Sequence, residues 1–250
     1  MNDALHTALT NRLLASADDE LILAHRNAEW TGHAPILEED IALANIAQDE
    51  LGHGTIWYGL VEALTGDDPD RLAFFRDASQ FCSAQLVEQP RGDWAFTMLR
   101  QYLFDAYELT LLARLAGSAY QPAADAAVRM RNEEIYHYRH SSVWVRRLAL
   151  GTEESHRRMQ RALNELWPLT GQLFSAQPGD EILMAAGYWP DFDEMKQSWM
   201  SVVMPFLEQG ELVVSDLVDG PVDRSEHSGH LNGLLADMQM VARADREAVW

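Results

Sequence analysis

Four long segments rich in helix formers, each closed by a short run of breakers, restrict this chain to an all-helical architecture. "NRLLASADDELILAHRNAEW" runs into "TGHAP", and "ILEEDIALANIAQDELGHGTIWYGLVEAL" follows before "TGDDPD". "WAFTMLRQYLFDAYELTLLARLAGS" reaches "AYQP", and "AADAAVRMRNEEIYHYRHSSVWVRRLAL" stops at Gly151. Each is roughly twenty residues or longer, well above the usual helix mean of about twelve. Alternating β-branched runs bounded by Asn-Gly or Asp-Gly turns, the signature of strands, are absent. Long helices joined by short turns pack as antiparallel neighbours, so the expected fold is an all-α four-helix bundle with additional C-terminal helices. Those additions are a helix over about 153–175, a broken stretch through "QPGDE", a helix over about 191–218, a "DGPVDRSEHSGH" loop and a last helix from about 230. A shorter helical piece is expected over about 70–88. No Pro/Ser-rich linker divides the 250 residues, which predicts a single domain over 1–250.

Two of the long segments contain the same phrase, acid-acid-x-x-His: "DELGH" at 49–53 and "EEIYH" at 133–137. Residues three apart on a helix share a face, with Cβ atoms about 5–6 Å apart. Glu50 with His53, and Glu134 with His137, can therefore each touch one ion. The helix before each phrase offers a further acid followed by Leu-x-Leu, Glu20 in "DDELIL" and Glu108 in "AYELTL". A bundle that binds two metals takes one Glu from each of two helices and a Glu-x-x-His from each of the other two.

The turns provide an independent check. In an antiparallel hairpin, residues at one height are equally far along the chain from the turn. The midpoint between Glu20 and Glu50 is Pro35, in the "TGHAP" turn, and between Glu108 and Glu134 it is Gln121, in "AYQP". Both acids of the first helices sit among leucines, where four carboxylates would cost several kcal/mol each in desolvation. Two divalent cations would neutralise them. Oxygen and imidazole donors suit iron, manganese or zinc. The expected metal ligands are Glu20, Glu50, His53, Glu108, Glu134 and His137. A single Glu-x-x-His would more often be a solvated helix face; two copies with both partner acids reverse that balance. Asp49 and Glu133 could orient the histidine rings or form surface salt bridges, and His140, on the face of His137, reads as a further supporting group or as ordinary packing. His227 and His230 have no acidic partner at ligand spacing.

Composition narrows the function further. A formal charge of −20 opposes binding to nucleic acid or anionic lipid. No apolar run approaches the ~20 residues of a membrane span, and "MNDALHTALT" lacks the features of a secretory signal. The single cysteine, Cys82, excludes an internal disulfide and a thiolate cluster, which fits a reducing cytoplasm. The arginines crowd between Arg129 and Arg161. That stretch reads either as an electropositive patch for a partner or for acyl-CoA phosphates, or as a solvated face balancing Glu133, Glu153 and Glu154.

The six-residue pattern resembles the ferritin-like di-iron carboxylate superfamily, which implies two iron ions as the cofactor, with manganese compatible with the same donors. Three longer stretches resemble, more closely, the C subunits of bacterial phenylacetyl-CoA epoxidases: "AEWTGHAPILEEDIALANIAQDELGH", "FCSAQLVEQPRGDWAFTMLRQYLFDAYELTLLARL" and "LLADMQMVARADREAVW". That resemblance implies a ferritin-like fold and a tight complex with a homologous A subunit. It also implies electrons from a separate reductase and an aromatic acyl-CoA epoxidised on its ring. In that family the di-iron centre belongs to the A-type chain, and the C-type chain commonly serves as a scaffold that has lost ligand positions. Here all six are present. The resemblance thus leaves two roles, a structural subunit supporting its A-type partner and a di-iron oxidase or ferroxidase-like protein with its own site.

Overall fold

A computed structural model of the protein describes residues 1–214 and 223–245, and these contain helices and no strand. The helices are α1 (Asp3–Ala28), α2 (Leu37–Thr65), α3 (Pro69–Phe74), α4 (Gln85–Glu88), α5 (Trp94–Leu115), α6 (Gln121–Ala149), α7 (Glu153–Leu166), α8 (Asp180–Ala185), α9 (Phe192–Gln209) and α10 (Leu231–Ala244). They form two compact units, Met1–Pro90 with Arg224–Trp250, and Arg91–Asp223. None is long and apolar enough to cross a membrane.

The first unit is built on the α1–α2 hairpin. α1 starts well before the expected segment because Asn2 caps it, its side chain accepting the Leu5 amide at 2.9 Å. α2 ends where Gly66 turns left-handed, at φ +79°, a conformation that favours glycine. The helical piece expected over 70–88 is instead α3, a 3-10 turn at Ala78–Gln80, and α4. The reason is tertiary. The Cys82 amide donates to Asp18 at 2.8 Å and the Ala84 amide to Asp19 at 2.7 Å. Buried carboxylates on α1 thus take the amides that a continuous helix would have paired internally.

The second unit is built on the α5–α6 hairpin, with α7 and α9 packed on α5. Trp199 of α9 is buried, donates to the Leu103 carbonyl at 3.1 Å and stacks on Trp167 at 5.4 Å. The helix expected over 153–175 is α-helical only to Leu166 and continues as a 3-10 segment, Trp167–Phe174. Pro168 has no N–H to continue the α ladder. The helix expected to 218 ends at Gln209; positions 215–218, the start of the expected "DGPVDRSEHSGH" loop and residues 246–250 lie outside the described residues.

A half-buried latch holds the chain that leads into α10. His227 Nδ1 lies 2.7 Å from Glu88 Oε1 and Nε2 lies 3.0 Å from the Phe81 carbonyl. Both neighbours are acceptors, so only the doubly protonated ring satisfies both. Burial alone would lower the pKa of His227; the Glu88 carboxylate outweighs it and raises the value above 6.5. A raised folded-state pKa means the latch contributes fully below about pH 6.5, the unfolded value, and is lost as pH rises through the folded value. Amide exchange across α10 is therefore expected to quicken as pH rises beyond the intrinsic pH effect. His227→Gln should remove that excess, and an identical pH dependence in the variant would contradict the latch.

Candidate metal centre

Each hairpin buries its three expected donors. None of Glu20, Glu50, His53, Glu108, Glu134 and His137 is more than 2% exposed. In the first unit, Glu20, Glu50 and His53 each offer a ligand atom within 4.8 Å of the other two. His53 Nδ1 is 3.9 Å from Glu20 Oε2. α1 and α2 come close at this layer, where a Cβ built on Gly54 would touch Glu20 Cβ at 3.4 Å. The turn between the helices spans residues 29–36 and contains the expected midpoint Pro35.

In the second unit, His137 Nδ1 is 3.1 Å from Glu134 Oε2. Its turn, 116–120, ends one residue before the expected midpoint, since Gln121 is the first residue of α6. Burial pushes the Glu134 carboxyl well above its ordinary value, helped by the negative charges of Glu108 and Asp105 and opposed by His137. Glu134 Oε1 and Glu108 Oε2 are buried and receive no hydrogen bond among the described residues. A buried carboxylate oxygen without a donor costs free energy that a cation can recover. These donors fit a divalent ion, and their oxygen and imidazole chemistry suits iron or manganese. The lone thiol does not compete: burial, with the charge of Asp18, pushes Cys82 up to about 11.

Among the supporting residues, Asp49 is half-buried, Glu133 is exposed, and His140 stacks on Tyr136 at 6.3 Å. His227 does have an acidic partner, Glu88, supplied by a distant segment. Asp105, absent from the motif reading, is buried one turn from Glu108 on α5. The arginine stretch divides. Arg157 and Arg158 bond Glu154, and Arg158 and Arg161 reach Asp93 at 3.4 and 3.1 Å, so local acids balance the part on α7.

Long helical hairpins that bury a Glu on one helix and a Glu-x-x-His on the next define a ferritin-like carboxylate protein. The chain belongs to the phenylacetic acid catabolic protein family, whose sequence model matches residues 1–250. It is 38% identical over 240 residues to the C subunit of the 1,2-phenylacetyl-CoA epoxidase of Escherichia coli (strain K12), covering 95% of this chain and 96% of the relative. The A subunit of the same epoxidase is 25% identical over 221 residues, covering 86% of this chain and 71% of the relative.

Proposed function

We propose that this chain acts as the C-type subunit of a phenylacetyl-CoA 1,2-epoxidase in the cytoplasm, pairing with a homologous A-type subunit that a separate reductase supplies with electrons. The observation that carries this reading is identity running the length of both chains, 95% of one and 96% of the other. A likeness confined to a metal motif would not extend so far. We propose further that the two hairpins form one ferritin-like domain, in which Glu20, Glu50, His53, Glu108, Glu134 and His137 hold two iron ions. Bound iron would supply reductive activation of O2. The protein's part is to neutralise the ions with four carboxylates, orient them with two imidazoles and keep water away. Leu21, Ile22 and Leu23 beside Glu20, and Leu111 and Leu112 beside Glu108, are buried and serve that exclusion.

A second reading, a self-standing di-iron oxidase or ferroxidase-like protein, draws on the completeness of the buried donor set. Co-expression with the A-type partner from the same genome separates the two. The first reading expects a stable heteromer that epoxidises phenylacetyl-CoA given a reductase, with activity abolished when this chain is omitted. Two chains that never associate, with this one oxidising Fe(II) under O2 by itself, would favour the second.

A further inference from the structure

Each ligand hairpin carries a second polar link that the donor set does not require. Between α5 and α6, the Ser141 hydroxyl donates to Asp105 Oδ2 at 2.6 Å, and Gln101 Nε2 donates to Asp105 Oδ1 at 2.6 Å. All three side chains are buried. Asp105 precedes Glu108 by three residues and Ser141 follows His137 by four. Moving back along α5 and forward along its antiparallel neighbour leads toward the same end of the hairpin. The link therefore lies about one turn beyond the ligand layer, on the side away from the 116–120 turn.

Between α1 and α2 the same arrangement is made from other residues. The Tyr58 hydroxyl donates to Asp18 Oδ1 at 2.6 Å, both side chains being buried. Asp18 precedes Glu20 by two residues and Tyr58 follows His53 by five, again on the side away from the connecting turn. Arg76 reinforces it, Nη1 donating to Asp18 Oδ2 at 3.1 Å and Nη2 to the Tyr58 hydroxyl oxygen at 3.1 Å. The residues that would match Asp105 and Ser141 by offset are Ala17 and Trp57, both buried and neither a hydrogen-bonded acid or hydroxyl. The two hairpins thus reach one geometry by different side chains.

A hairpin closed by its turn on one side of a layer can still slide or rotate on the other. A shift of one residue turns a side chain by about 100° on a helix of 3.6 residues per turn, enough to take a ligand off its face. We infer that Asp105–Ser141 and Asp18–Tyr58 are register clamps, positioning residues that hold the donors of each hairpin on one layer before any ion binds. The inference leans on the two-metal reading only for its metal readout, since each clamp is a property of the metal-free chain.

The test uses the full chain as Ser141→Ala, Ser141→Thr and Tyr58→Phe. In the metal-free protein, amide exchange is expected to quicken roughly tenfold at residues 134–138 in Ser141→Ala and at 50–54 in Tyr58→Phe, with α9 unchanged. Ser141→Thr, which keeps the hydroxyl, should restore the slow exchange. Titration with Co(II), followed by its visible absorption, should show each of the Ala and Phe variants weakening one of two ions by roughly tenfold, with an altered spectrum and a melting temperature within a few degrees. Unchanged exchange at both layers overturns the clamps. So do unaltered Co(II) affinity and spectrum in both variants of a protein that binds two ions. A wild-type protein that takes up no Co(II) while exchange responds as described supports the clamps and sinks the two-metal reading.

Discussion

Arg76→Ala is expected to destabilise the protein by about 3–5 kcal/mol, the scale of removing one partner from a buried ion pair. Arg76 is 8% exposed and its guanidinium bonds both oxygens of Asp18, which is wholly buried. It also donates to the Gln80 carbonyl at 2.9 Å and lies over the Phe81 ring at 4.2 Å. Burial alone would lower the pKa of Arg76; Asp18 outweighs it and raises the value. Without the arginine, Asp18 keeps the Tyr58 hydroxyl and the Cys82 amide but loses its cation. The loss should appear as a melting temperature lower by roughly 10 °C and a lower urea midpoint. Combining Arg76→Met with Asp18→Asn should recover part of it, because no charge is then left buried. A loss below about 1 kcal/mol for Arg76→Ala would show that water solvates Asp18, and that the ion pair does not hold the 76–84 segment on α1.

The second large effect concerns the metals. Anaerobic reconstitution with Fe(II) is expected to leave well over one equivalent per chain, and His53→Ala or His137→Ala to weaken binding by roughly one to two orders of magnitude. The imidazoles matter because each is buried beside a carboxylate of its own hairpin, His53 with Glu20 and His137 with Glu134. Removing His137 also removes the group that opposes the upward shift of the Glu134 carboxyl, so that acid would hold its proton more firmly against an incoming cation. Binding should also raise the melting temperature, since an ion at a hundred times its Kd adds about 2.7 kcal/mol to the folded state. Less than a tenth of an equivalent in the reconstituted wild type, with no thermal shift, would leave the chain a metal-free scaffold.

Local spacing carried much of this protein's description. The acids and histidines at 50, 53, 134 and 137 face inward because three residues along a helix return to one face, a rule that holds before any packing. Glu20 and Glu108 were legible because a hairpin ties height along a helix to distance from the turn, and both turns are written in breakers. The positions of α2, α5 and α6 and the start of α10 were readable within three residues for the same reason: helix formers and breakers act on their own neighbourhood.

What packing alone decided lies between residues far apart in the chain. The segment over 70–88 has helical composition, yet Asp18 and Asp19 capture two of its amides from more than sixty positions away and it breaks into short pieces. His227 looked partnerless because Glu88 stands 139 residues before it. The link from Asp105 to Ser141 crosses 36 residues and a turn, and Tyr58 reaches Asp18 across 40. None of these pairs has a spacing that a helix or a turn imposes. Each exists because a buried polar group must find a partner among whatever side chains the fold has brought within about 3 Å, and that choice is made only when the helices have met.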